Sequence, residues 1–171
     1  MKKLLTISAF AAVFACATMS AFADDLAGQS GVSVRVGGFY PTQTATRDAT
    51  TSTWFSAGVD YKLKDAKLPL LQGGSVSLSV DYASNGNFRN LPVMVNYTVG
   101  KQIYYSVGVG AGFTRFVEDG GGQNDMVRFA YGAAIGYNFN NAELPAFLEV
   151  RYLGNQQPRV AGIGVYVGVR F

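Results

Sequence analysis

No histidine occurs anywhere in the 171 residues. That absence removes the Ser-His and Cys-His nucleophile arrangements, together with the commonest general base. Cysteine is almost as scarce. Cys16 is the sole one and falls in an amino-terminal stretch that reads as a leader. A mature chain would therefore have no thiol for a disulfide, a metal centre or a nucleophile. Long apolar runs are missing as well: beyond the leader, no segment approaches the ~20 apolar residues that a spanning helix needs. Charged residues make up only 15% of the chain. The formal charge of +3 falls to +1 once Lys2 and Lys3 leave with the leader, so the basic balance points to no nucleic-acid partner.

What is present begins with that leader. Met-Lys-Lys-Leu-Leu, an apolar run through Phe14 and then Ala21-Phe22-Ala23 form the basic, apolar and small-residue zones of a secretory signal peptide. Residues 1–23 are expected to be cleaved after Ala23, leaving 24–171 as one domain. Retaining Cys16 as a lipidated first residue is disfavoured by the bulky Phe14 nearby and by the better cleavage site that follows.

The mature chain alternates with a period of two. Eight segments of about ten residues show it: Val32 to Tyr40, Trp54 to Leu63, Ser75 to Ala83, Leu91 to Val99, Ile103 to Phe116, Met126 to Phe139, Ala146 to Leu153 and Val160 to Phe171. Stretches rich in Gly, Asn, Asp, Pro and Thr separate them. The final nine residues, Ile-Gly-Val-Tyr-Val-Gly-Val-Arg-Phe, are the clearest case, with apolar residues at odd positions and Gly, Tyr or Arg at even ones. One face of the eight strands gathers Val34, Val36, Val59, Val76, Leu78, Val80, Val93, Val95, Val107, Val109, Ile135, Val150, Val165 and Val167. The other gathers Arg35, Asp60, Asp81, Arg128, Glu149, Arg151 and Arg170 among serines and glycines.

Alternation alone does not say which face is inside, and a soluble sandwich or lipocalin-like barrel would show the same pattern. Aromatic placement breaks the tie. If the strands run alternately up and down from a periplasmic start, Tyr40, Tyr82, Phe113, Phe129 and Tyr152 fall at one rim. Tyr61, Tyr97, Tyr105, Tyr137, Phe139 and Phe171 fall at the other. Two aromatic girdles around an aliphatic band match a bilayer, because a Tyr ring buries its body and keeps its hydroxyl wet. Glycines on the polar face suit a narrow, crowded interior, with large side chains expected outside. The expected fold is thus an all-β, eight-stranded antiparallel up-and-down transmembrane β-barrel. External connections are expected at Pro41 to Thr53, Ser84 to Asn90, Val117 to Asp125 and Gly154 to Arg159, with short turns at Gly100-Lys101 and Asn140 to Pro145. The long stretch from Lys64 to Gly74 does not fit this scheme unless it extends a strand beyond the membrane or the strand boundary lies elsewhere.

Charges inside so narrow a barrel need partners. Arg35, Asp60, Asp81, Arg128, Glu149, Arg151 and Arg170 are expected to form a lumen network, with Arg35, Glu149 and Arg151 acting as a plug or a gate. An eight-stranded barrel is about wide enough for its own side chains. No catalytic, cofactor or metal set emerges. Gly108-Val-Gly-Ala-Gly has the wrong spacing for a phosphate loop and lies inside a strand. Glu118 to Asp125 lacks calcium-loop spacing and reads as an external loop. Arg115 faces outward at the upper rim, where it can meet lipid phosphates.

The signal, the eight strands, Tyr-Tyr-Ser-Val-Gly-Val-Gly-Ala-Gly-Phe from Tyr104 to Phe113 and the terminal Tyr-Val-Gly-Val-Arg-Phe resemble the small outer-membrane barrels of the OmpX/OmpW and OmpA type. The resemblance implies a Gram-negative outer membrane, contact with its lipid and lipopolysaccharide, and insertion by barrel assembly machinery. That machinery would read the last strand, here Tyr166 and the terminal Phe171. The enzymes of this family depend on a histidine that has no counterpart here. A non-enzymatic envelope barrel is the expectation, with an OmpW-like channel for small or apolar solutes as the alternative. A closed barrel leaves no free edge, so a monomer is expected.

Overall fold

The computed structural model describes residues 31–68, 71–117, 122–139 and 145–171. The expected leader with Cys16 lies outside them, as do residues 118–121 of the acidic loop and 140–144 of the turn before Pro145.

Eight strands follow one another: β1 (Val32–Pro41), β2 (Trp54–Leu68), β3 (Leu71–Asn85), β4 (Phe88–Gly100), β5 (Ile103–Val117), β6 (Gln123–Asn138), β7 (Ala146–Asn155) and β8 (Gly162–Arg170). Each pairs antiparallel with the next, and β1 pairs with β8 to close the barrel. A short helix, α1 (Thr44–Ala49), and a 3₁₀ turn at Pro158–Val160 cross the end remote from the two chain ends. At the opposite end Gly31 and Phe171 are tied together, the Gly31 N–H donating to the Phe171 carbonyl at 2.9 Å.

The strands are inverted relative to a soluble barrel. On β3, Leu78 and Val80 are 39% and 41% exposed, while Ser79 between them is wholly buried. Val107, Val109, Val127, Val165 and Ile135 are exposed in the same way around the wall. Because side chains alternate across a strand, this register choice sends the aliphatic residues that share that face outward.

The stretch from Lys64 to Gly74 takes the strand extension the sequence allowed for it: β2 continues to Leu68 and β3 begins at Leu71. Bulges lie between Lys62 and Lys64 and between Ala66 and Leu68. Pairing with β1 stops at Tyr61 and pairing with β4 at Gly74, so this hairpin overhangs its neighbours. Ser84 to Asn90, expected as an external loop, contracts to a turn of Gly86 and Asn87, with Gly86 at φ +55°. Within β3 and β4 the ladder skips the rungs between Val80↔Val93 and Ala83↔Asn90. Pro92 lies there and has no N–H to give.

The wall glycines are matched to large interior side chains. A Cβ at Gly136 would enter the ring of Tyr104, one at Gly164 the ring of Tyr166, and one at Gly168 the ring of Phe147. Gly37 is tighter still, since its Cβ would meet the Val165 carbonyl oxygen and lie 2.9 Å from Tyr166 Cα. Gly112 has ordinary space, with Ala130 Cβ at 3.4 Å. Gly37→Ala should therefore lower barrel stability by about 1–3 kcal/mol, read as a shifted urea midpoint in lipid. Gly112→Ala should leave that midpoint near wild type, and equal behaviour of the two variants would refute the backbone-contact reading.

Candidate functional site

The interior is arranged in three tiers along the axis. The middle tier is ionic. Arg35 on β1 is wholly buried and reaches across to β3, with Nη2 2.5 Å and Nε 3.0 Å from Asp81 Oδ1. Its Nη1 pairs with Asp60 on β2, and its Nε lies 3.8 Å from Glu149 Oε1. Arg151 on β7 donates from Nε to Glu149 Oε1 at 2.8 Å and from Nη1 to Asp81 Oδ2 at 3.3 Å. Tyr104 on β5 donates its hydroxyl to Glu149 Oε2 at 2.9 Å, and Ser33 donates to Asp60 Oδ2 at 3.3 Å. Gly58 makes this possible, because a Cβ there would strike Asp81 and the Arg35 guanidinium. Arginine suits the position, since its planar fork serves several carboxylate oxygens at once.

Of the residues expected in a lumen network, Arg35, Asp60, Asp81, Glu149 and Arg151 come together. Arg128 does not. It has inward parity but lies exposed near the remote end, its Nη2 2.8 Å from Met126 Sδ. Parity along β6 gave its face but not its height above the cluster. Arg170 also stands apart: its guanidinium lies over the rings of Tyr104 and Phe147 at 4.6 and 4.9 Å. Tyr166 points fully into the lumen, its hydroxyl 2.9 Å from Ser56 Oγ and its ring 5.7 Å from the Arg35 guanidinium carbon.

The tier toward the remote end is apolar and corrects the expectation that large side chains face outward. Phe39, Trp54, Phe88, Met94, Phe116, Leu153 and Val160 form one buried cluster inside the barrel. The Trp54 ring lies 5.6 Å from Phe39 and 5.9 Å from Phe88. Their parity was readable, because Phe39 lies four residues from Arg35 and Trp54 two from Ser56, on the same faces. The abundance of glycine on that face hid them. The connections above are laced over this cluster: Thr46 Oγ1 donates to the Arg159 carbonyl at 2.8 Å and Asn90 Nδ2 to that of Val160 at 3.0 Å. Trp54 Nε1 donates to Thr50 Oγ1 at 3.1 Å.

The tier toward the chain ends is open. A cavity of about 310 Å³ lies there, bordered by Ser33, Asp60, Ser77, Thr98, Tyr104, Glu149, Arg151, Arg170 and Phe171.

Outside, Tyr40, Tyr61, Tyr82, Phe113 and Tyr137 are exposed near strand ends. Tyr97 and Tyr152 are half-buried, Tyr97 because it lies across Gly74. Tyr131, absent from the expected girdles, is 42% exposed and stacks near Phe129 and Tyr152. Arg115, for which a contact with lipid phosphates and an ordinary interfacial charge were equally good readings, is held by Asp125 through two 2.7 Å bonds.

No protein-family model matches this chain, and no curated protein matches it. Solved structures do. The amino-terminal β-barrel domain of Pseudomonas aeruginosa OprF aligns over 84% of this chain and 98% of its own, at 16% identity and TM-score 0.53. Yersinia pestis outer membrane protein Ail aligns over 84% of this chain and 100% of its own, at 14% identity and TM-score 0.51. This is the fold of the eight-stranded outer-membrane barrels. At such identity the likeness extends to the fold, and the interior of this outer-membrane-type barrel has to be read from its own side chains. Those side chains comprise two arginines against three carboxylates beneath an aromatic seal. Among the described residues, no cluster of metal-ligating side chains is present.

Removing one arginine would leave buried carboxylates uncompensated, which costs about 3–5 kcal/mol. Arg35→Ala should lose that much stability in a urea titration of the lipid-inserted barrel, whereas Arg128→Ala should stay within about 0.5 kcal/mol of wild type. Equal effects would show that the cluster does not act as a unit.

Proposed function

We propose that this protein is a non-enzymatic barrel of a Gram-negative-type outer membrane, closed to solute passage and presenting a rigid cap on the cell surface. The observation that carries the reading is the pairing of an exposed aliphatic wall with a filled interior. Contiguous apolar surface on this scale is not left in water by a soluble monomer. Rings of tyrosine near both ends of the strands suit the two bilayer interfaces. In this orientation the chain ends face the periplasm, and α1 and the 3₁₀ turn face outside. The exported chain would lose residues 1–23 at the inner membrane. It would be inserted by the barrel assembly machinery through β8 with Tyr166 and Phe171, and would then contact outer-membrane lipid and lipopolysaccharide as a monomer.

The absence of histidine supports a non-enzymatic role, and so does the engagement of every carboxylate in the ionic tier with an arginine. An OmpW-like channel would need a path through both the ionic tier and the aromatic seal. The closed reading is supported by the burial of Phe39, Trp54 and Val160, which are at most 1% exposed.

The two barriers in series give a test. In planar bilayers, wild type and Glu149→Ala should show equal, negligible conductance, because the aromatic seal remains when the ionic tier is loosened. A Trp54→Ala, Glu149→Ala double variant should show discrete small openings. Conductance in Glu149→Ala alone would make the ionic tier a gate and overturn the closed-barrel reading.

A further inference from the structure

The cavity on the periplasmic side has a charge order that the plug does not require. At its roof, the buried cluster holds three carboxylates, Asp60, Asp81 and Glu149, against two arginines, Arg35 and Arg151. Asp60 Oδ1 is buried and accepts no hydrogen bond from the described residues of the protein, and Arg151 Nη2 lies 3.9 Å from it. A carboxylate oxygen in that setting can take about one charge-assisted hydrogen bond from a molecule in the cavity. At the mouth the sign reverses: Lys62 and Arg170 both line it, Lys62 being paired with Asp65 at 2.7 Å. Arg170 is held by its contacts with the Tyr104 and Phe147 rings and has no carboxylate partner among the described residues, so its N–H donors remain for an acceptor.

The sheet register sets the separation. Ser33 is paired with Asp60 on one side and with Arg170 on the other, so the anionic and cationic positions are two strands apart. At roughly 4.8 Å per strand this is about 10 Å at the backbone, and less where the side chains converge inward. The intervening space of about 310 Å³ has room for roughly ten waters. It carries hydroxyls from Ser77 and Thr98 and an aromatic edge from Tyr104.

We propose that this cavity binds a small zwitterion whose ammonium and acid groups are joined by a short aliphatic linker. The ammonium donates to Asp60 Oδ1 and a neighbouring hydroxyl, supplying the cation that the roof lacks. The acid group accepts from Arg170 at the mouth, and the linker lies along Tyr104. Ligands with only one of the two charges satisfy one end and leave the other desolvated, so the site discriminates by requiring both.

The proposal rests on the outer-membrane reading for access from the periplasm, and the experiment separates the two. The barrel is placed in phospholipid nanodiscs, and 6-aminohexanoate, hexylamine and hexanoate are titrated by calorimetry, with amide shifts of Ser77 and Thr98 followed by NMR. The amino acid should bind at least ten-fold more tightly than either single-charge analogue and should shift both amides. Asp60→Asn should lose at least ten-fold. Arg170→Gln, at a half-buried position without an ion pair among the described residues, should still insert, checked by its wild-type-like NMR spectrum in nanodiscs, and should bind 6-aminohexanoate and hexylamine equally. No binding by the nanodisc-inserted barrel, or binding unchanged in Arg170→Gln, would overturn the proposal. Failure to enter nanodiscs would instead overturn the membrane reading.

Discussion

Closure of eight strands into one cylinder is the constraint on which the rest depends. It fixes an interior about wide enough for side chains and no more, so every inward residue must be matched in volume by its neighbours across the lumen. Gly37, Gly136, Gly164 and Gly168 make sense in these terms. They are sites where the wall yields to Tyr104, Phe147 or Tyr166, and at Gly37 to the backbone of β8. With the wall and the filling interlocked, the aliphatic side chains have only the outer surface left.

The same narrowness governs the charges. A polar interior this narrow must pair its charges closely, and the five ionic side chains do so through shared oxygens rather than separate pairs, leaving one Asp60 oxygen facing the cavity. Arg35 and Arg151 both serve Asp81, and Glu149 takes Arg151 together with the Tyr104 hydroxyl. Such a network ties β1, β2, β3, β5 and β7 across the lumen, so it joins elements that sheet hydrogen bonding links only to their immediate neighbours. The aromatic tier above adds a second cross-lumen tie and carries the cap formed by α1 and the 3₁₀ turn.

Together these tiers give the molecule a direction. The end that carries α1 and the 3₁₀ turn is dry, aromatic and laced shut; the end at Gly31 and Phe171 is polar and open, with an Asp60 oxygen that no described protein group serves at its roof and a stacked arginine at its mouth. A closed scaffold needs the first of these features. The second is what distinguishes this barrel's interior from a mere filling.

Much was legible in the sequence. Two-residue alternation determined eight strands and their two faces, and aromatic placement chose the outward face, because a bilayer sorts rings by height and a soluble core does not. The ionic residues could be named from parity, since burial in a narrow lumen demands opposite charges. Parity carries no height, however, and strand register does: Arg128 shares a face with the cluster but lies beyond it, and Arg170 meets rings instead of carboxylates. Nor does parity weigh one inward residue against another, so the glycines masked Phe39, Trp54 and Phe147, although all three lay on the same faces. The extended β2–β3 hairpin, the contracted turn at Gly86, the aromatic seal and the cavity beneath the charges were decided only by tertiary structure. They depend on which residues meet across the lumen, and that is set by the stagger between strands far apart in the chain.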